Sequence, residues 1–168
     1  MENKKEHLPL FGVGPIIVCG QFVMTGIAIL LSYIYGWNYL KFDICNIPLK
    51  ILGFILIILG MYLDYCAKRK SKLFEHVAIN ELITDGVYSI VRNPVYSGAL
   101  IMCAGAVCIT NKLFLFVVVV ACWIYMTIFL INTEEKWLRD LYGQEYIDYC
   151  KKVNRCIPWF PRKNCYDR

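Results

Sequence analysis

Four apolar runs restrict what this chain can fold into more than any other feature. They fall at about residues 12–37, 47–66, 94–110 and 113–132. A helix that crosses a bilayer needs roughly 20 such residues. The chain is 58% hydrophobic, outside the range of an ordinary soluble domain. It therefore reads as an all-α, polytopic membrane protein: one domain over 1–168, with about four transmembrane helices. The third run is short and rich in small residues. It reads as a full or nearly full span, with a re-entrant or buried helix as the alternative. The first run follows Lys4 and Lys5 but is too long for a cleavable signal and lacks a small-residue exit.

Charge orients the bundle. Lys4 and Lys5 precede the first run, and Lys68, Arg69, Lys70 and Lys72 follow the second. Lys136, Arg139, Lys151, Lys152, Arg155, Arg162, Lys163 and Arg168 follow the fourth. The other two connections hold only Lys41, Lys50 and Lys112. By the positive-inside rule both termini and the 67–93 loop are expected in the cytoplasm. The net charge of +5 then reports topology and attraction to anionic lipid, not a nucleic-acid partner.

Nine cysteines suggest a disulfide framework by count alone. The number is odd, no CxxC pair occurs, and Cys19, Cys66, Cys103, Cys108 and Cys122 lie in apolar runs. They read as small buried hydrophobes in a reduced setting. With only His7 and His76 beside them, no metal site is expected. Cys165 stands fourth from the end, but Tyr166 and Asp167 are not the aliphatic neighbours of a prenylation signal.

The informative polar segments are 67–93 and 133–168. In the first, Thr84-Asp85-Gly86 is a turn signal. Asn93 precedes Pro94, which suits a first helical turn, so Asn93 reads as an N-cap. The plain reading of Arg92-Asn93-Pro94 is a capped helix start with an interfacial arginine. Such a start also presents N–H groups and a positive dipole end to an anion. Asn111-Lys112 is too short a link for anything but an antiparallel hairpin of runs three and four. That hairpin returns Glu134 and Glu135 to the level of Arg92. Paired carboxylates are disfavoured at a helix C-terminus, so either the helix continues or they bind something. Trp137, Leu138, Leu141, Tyr142, Tyr146 and Tyr149 mark an amphipathic continuation, broken at Gly143. Its plain reading is a membrane-surface helix without chemistry. Trp159-Phe160 has the composition of an interfacial anchor.

Two stretches, NELITDGVYSIVRNPVYSGALIMCAG and EEKWLRDLYGQEYIDYCKKVNRCIPWF, resemble the isoprenylcysteine carboxyl methyltransferases and their relatives, the phospholipid N-methyltransferases. The shared pattern runs through L-I-T-x-G-x-Y, R-N-P-x-Y-x-G, E-E-x-x-L and G-x-x-Y-x-x-Y to a terminal I-P, over about 80–160. The resemblance implies a small helical membrane enzyme that uses S-adenosylmethionine, its site formed by the 80–96 loop and the C-terminal amphipathic segment. Carried over by position, cofactor contacts fall on Asn80, Glu81, Leu82, Ile83, Tyr88, Asn93, Pro94, Val95, Tyr96 and Glu134. Glu135 and Arg92 are the candidates for acting on the acceptor, Glu135 as a proton acceptor and Arg92 as a neutraliser of phosphate or carboxylate. Many members carry His where this chain has Asn93 and Asn80. The N-P-x-Y form is that of the phospholipid enzymes. The carboxyl methyltransferases place a substrate-binding arginine one helical turn before the first Glu, where this chain has Leu130.

The sulfonium of such a cofactor already activates its methyl group, so the protein's task is alignment. A carboxylate acceptor needs no base, whereas an amine must lose a proton. The resemblance thus implies a lipophilic acceptor drawn from the membrane, a lipid amine or small molecule ahead of a prenylcysteine carboxylate. Two other readings stand beside it. One is a membrane scaffold or cofactor sensor without catalysis. The other is a nicotinamide-dependent sterol-type reductase, for which no basic site for a 2′-phosphate is recognisable.

Overall fold

The computed structural model describes residues 13–37, 46–71, 73, 76, 79 and 81–158. Asn80, Trp159, Phe160, Cys165 and both basic termini lie outside the described residues. Helix α1 (Gly14–Ile34) opens with Pro15 in its first turn. Helix α2 (Asn46–Tyr65) continues into a π turn, Cys66–Lys70. A short 3-10 turn at Gly86–Ser89 leads to α3 (Pro94–Thr110). A second 3-10 turn, Leu113–Leu115, opens α4 (Phe116–Asn132), followed by two short polar helices, α5 (Glu134–Tyr142) and α6 (Gln144–Lys152). Among the described residues the extended pairing is a single parallel bridge, Val91 with Asn154.

Among the described residues, three stretches are long and apolar enough to cross a membrane: Gly14–Ile34, Asn46–Lys70 and Leu113–Tyr142. In the last of these the apolar part is α4, since α5 is polar. The expected fourth span, α3, has 17 residues and a rise of about 25 Å, short of a hydrocarbon layer of about 30 Å. It is nevertheless the most enclosed helix. Tyr96, Ser97, Gly98, Ala99, Cys103, Gly105, Val107 and Cys108 are all buried, whereas α2 buries only Gly53 and Gly60.

Small residues are the reason. Gly53 lies against Gly105 and Gly60 against Gly98, two antiparallel pairs spaced seven residues apart on each helix. A Cβ on Gly53 would meet the Gly105 carbonyl oxygen at 2.6 Å, and one on Gly60 would meet that of Gly98 at 2.6 Å. The small residues of the third run are thus used for close packing within the chain. The nearest backbone to α3 is α2, not its hairpin partner α4.

Helix α1 buries its polar residues. Ile17, Gln21, Thr25 and Ser32 face inward, while Ile16, Val23, Ile27, Leu30 and Ile34 are exposed to the bilayer side. Gln21 donates from Nε2 to the Met126 sulfur at 3.3 Å, and the Thr25 hydroxyl and Cys122 thiol lie 3.7 Å apart. At the far end Lys112, also buried, reaches the Ser32 carbonyl at 2.8 Å and sits 4.0 Å from the Tyr33 ring centroid. It joins the α3–α4 link to the last turn of α1, where a cation is favoured. The seven described cysteines are free thiols.

Candidate functional site

The site is built where α3 begins. Gly86 takes the turn anticipated from Asp85-Gly86, with φ +55, the left-handed region that glycine enters freely. The chain then runs through Tyr88 to Val91, Arg92 and Asn93. Asn93 occupies the N-cap position, but its side chain makes no cap bond. Its Nδ2 donates instead to the Arg155 carbonyl at 3.2 Å, and its backbone N–H donates to the same oxygen at 3.0 Å. The expected capping role is therefore corrected. A C-terminal strap, 153–156, lies alongside the helix start and competes for that side chain. The strap is fastened further by Arg92 N–H to the Asn154 carbonyl at 2.8 Å and by the Ser97 hydroxyl to the Cys156 carbonyl at 2.8 Å.

The acidic pair arrives from the other side. Helix α4 ends at Asn132, where Thr133 turns out of helical geometry (φ −124, ψ −86) and its hydroxyl donates to the Phe129 carbonyl at 2.6 Å. A new helix starts at Glu134. The sequence posed the carboxylates as a problem at a helix C-terminus. The break places them in the first turn of α5, where the dipole favours negative charge.

The two carboxylates have different surroundings. Glu134 accepts a hydrogen bond from the Tyr96 hydroxyl. Burial raises its carboxyl above the ordinary value; the Tyr96 bond opposes the rise and the neighbouring Glu135 charge adds to it. Glu135 accepts two bonds from Arg155, Nε at 2.6 Å and Nη2 at 2.8 Å, and lies 3.3 Å from Arg92 Nη2. Burial alone would raise Glu135 too, but the Arg155 bonds and the Arg92 charge outweigh it and hold the carboxyl low. The Arg92 and Glu135 side chains are each 7% exposed, so this is an ion cluster withdrawn from water. Arg92 also donates to the Tyr146 hydroxyl at 3.1 Å, contacts the Cys150 sulfur, and lies 5.7 Å from the Tyr146 ring centroid.

Under the Glu134–Tyr96 pair lies an apolar floor of Ile17, Met126, Leu130 and Cys156, to which Val95 adds. Val95 also touches the cluster of Ala67, Ile83 and Tyr88. Burial pushes the Tyr88 phenol above its usual range, and the Tyr88 carbonyl accepts from the Tyr149 hydroxyl at 2.6 Å.

Of the residues expected from sequence, Arg92, Asn93, Pro94, Val95, Tyr96, Glu134 and Glu135 are brought together, with Ile83 and Tyr88 one contact further out. Leu82 packs against Tyr146, Tyr149 and Val153. Glu81 is exposed and faces His76 at 2.9 Å. Asn80 lies outside the described residues. The sequence reading missed Arg155, Tyr146 and Cys150. Arg155 carried no signal beyond being one basic residue among many. Tyr146 and Tyr149 showed a helical face but not what it covers, which is Arg92 and Tyr88. Among the described residues, no three His, Cys, Asp or Glu side chains gather as metal ligands.

Comparison with known proteins adds the lineage. A family described as phospholipid methyltransferase matches residues 49–145, from α2 to the start of α6. The chain is similar to a probable protein-S-isoprenylcysteine O-methyltransferase of Oryza sativa subsp. indica, 32% identical over 116 residues, covering 64% of this chain and 60% of that protein. It is similar to the protein-S-isoprenylcysteine O-methyltransferase of Xenopus laevis, 33% identical over 119 residues, covering 66% of this chain and 41% of the relative. Methanethiol S-methyltransferase 1 of Bradyrhizobium diazoefficiens is 37% identical over 76 residues, 45% of this chain and 26% of that protein. The match thus spans less than two thirds of the length of each of these relatives. No solved structure matches. The matched stretch contains the α2–α3 glycine pairs, the Arg92–Tyr96 lip and the Glu134–Glu135 pair, and the chain belongs to the phospholipid methyltransferase family.

Proposed function

We propose that this chain is an integral-membrane methyltransferase that binds S-adenosylmethionine at the start of α3 and methylates a lipophilic acceptor. The observation that carries the reading is the Glu134–Tyr96 pair, buried at Tyr96 and half-buried at Glu134, set between a helix start and an apolar floor. The residue types suit the cofactor. Glu134 can accept from an ammonium or ribose hydroxyl, the first turn of α3 favours a carboxylate, and Val95, Ile83 and the Tyr88 ring offer apolar and aromatic contact. When bound, the cofactor supplies an activated methyl group. The chain's residues align the partners and exclude water around them.

The structure also bears on the acceptor. Leu130 is 0% exposed and packed among Ile17, Met126, Tyr96 and Cys156. It gives that position neither charge nor donor, and an ionised carboxylate left without a partner there is costly to desolvate. The sequence assigned Arg92 to the acceptor, but its guanidinium is engaged with Glu135, Tyr146 and Cys150. An amine-bearing lipid or a small neutral lipophile, a thiol included, fits this floor better than a prenylcysteine carboxylate. Glu135, the proton acceptor expected from sequence, is engaged with Arg155 and Arg92. In an assay with labelled cofactor, ethanolamine lipid or a small lipophilic thiol should be methylated in preference to a farnesylcysteine analogue. Efficient methylation of the analogue, indifferent to Leu130→Ala, would sink the acceptor assignment.

The charge distribution supports a cytoplasmic site. Lys68, Arg69, Lys70, Arg139, Lys151, Lys152 and Arg155 belong to the segments that gather at the Glu134 end, while Lys50 and Lys112 belong to the other. Cys165 should react with an impermeant thiol reagent only after permeabilisation. Labelling of Cys165 itself in intact cells, with Cys45 replaced by Ser, would reverse the topology.

A further inference from the structure

Arg155 is where the two halves of the site meet. Its carbonyl oxygen accepts from both the backbone and the side chain of Asn93, at 3.0 and 3.2 Å. Its guanidinium grips both oxygens of Glu135, at 2.6 and 2.8 Å. Backbone and side chain of one residue therefore span from the lip of α3 to the first turn of α5. A planar fork on a carboxylate fixes orientation as well as distance. The next residue toward the C-terminus is anchored too. Cys156 is buried against Met126 and Leu130, and its carbonyl is held by Ser97. The family match ends at residue 145, so this strap lies beyond it.

We propose that Arg155 is a positioning residue for the cofactor site. It fastens Glu135, and through that helical turn it sets the carboxylate of the adjacent Glu134 against Tyr96. The assignment rests on the cofactor reading given above. Arg92 cannot take over the task by charge alone. It meets Glu135 at 3.3 Å, while Arg155 supplies two shorter bonds. The strap thereby links cofactor affinity to residues 153–156.

A binding cycle tests this, with S-adenosylmethionine titrated by calorimetry onto full-length protein in detergent. Arg155→Ala is expected to weaken binding about tenfold, as loss of a charge-assisted contact does. Arg155→Lys, which keeps the charge but not the fork, should fall between that variant and the parent. Lys152→Ala, on the exposed side of α6, should bind as the parent does. In a Glu134→Gln background the Arg155→Ala loss should shrink to less than about twofold, because coupled residues are not additive. An equal loss in both backgrounds means that Arg155 merely supports the fold, and overturns the proposal. Should Arg155→Ala fail to fold, the same cycle is read with Arg155→Lys. Failure of the parent to bind cofactor overturns the site reading and this inference with it. Normal binding by Arg155→Ala, alongside a weakened Glu134→Gln, overturns only the role of Arg155.

Discussion

Between α2 and α3 the chain is held close by side chains that are missing; at the lip around Arg92 and Glu135 it is held by the far ends of long side chains. The glycine pairs bring one backbone against another and leave no freedom in distance. The lip gathers arginines, carboxylates and tyrosines whose bonds depend on angle and on the exclusion of water. A contact made by backbone cannot yield to a substitution, because nothing flexible stands in the way to move. A contact made by a guanidinium fork can be redrawn, at a loss in geometry before a loss in fold. The two regions should therefore fail differently: the seam as lost protein, the lip as lost binding.

The largest effect is expected from breaking the seam. Gly105→Leu places a Cβ 2.6 Å from the Gly53 carbonyl oxygen. Overpacking of this kind costs about 1–3 kcal/mol and occasionally more, and here the nearest contact is backbone. We expect little monodisperse protein in detergent and a melting temperature well below the parent's. Gly26→Leu, where nothing stands within 4 Å, should be tolerated, and equal behaviour of the two variants would remove the distinction.

The next effect sharpens the other side. Glu134→Ala should weaken cofactor binding about tenfold or more, on the order of 1.5–3 kcal/mol, while Lys136→Ala on the exposed side of α5 changes it little. Thermal melting of Glu134→Ala should stay near the parent's, since Glu135 retains the Arg155 and Arg92 contacts. Calorimetry that finds equal, negligible effects for both variants counts against the site.

The smallest effect lies between these regions. Gln21 is fully buried in α1, yet its Oε1 has no hydrogen-bond partner among the described residues. Polar contacts within membranes average about 0.6 kcal/mol, so Gln21→Leu should shift stability by less than Gly105→Leu does. A loss as large as that of Gly105→Leu would show that α1 docking, not the glycine seam, dominates the bundle.

How much of this was legible beforehand follows from range. Three of the four expected spans, the Gly86 turn, the Gly143 break and the return of Glu134 to the lip depend on local pattern and on one short hairpin, and each was read from the sequence. The break at Thr133 was not, since nothing in Asn132-Thr133-Glu134 separates a continuing helix from a restarted one. The turning of Asn93 away from its capping role was equally hidden. It depends on Arg155, 62 residues distant, whose strap competes for the same side chain. Glu135 and Arg92 were recognised as a pair of interest, but their mutual engagement is a property of packing that spacing does not encode.

The inward polar face of α1 has a consequence in time. Gln21 and Met126 are separated by 105 residues. At a synthesis rate of roughly 5–20 residues per second, Gln21 and Thr25 wait on the order of 5–20 s for the helix that will cover them. During that interval α1 exposes to lipid, or to whatever escorts it, the very groups that the finished protein conceals. We expect chains stalled before α4 to crosslink through position 21 to membrane insertion factors, and completed chains to lose that crosslink.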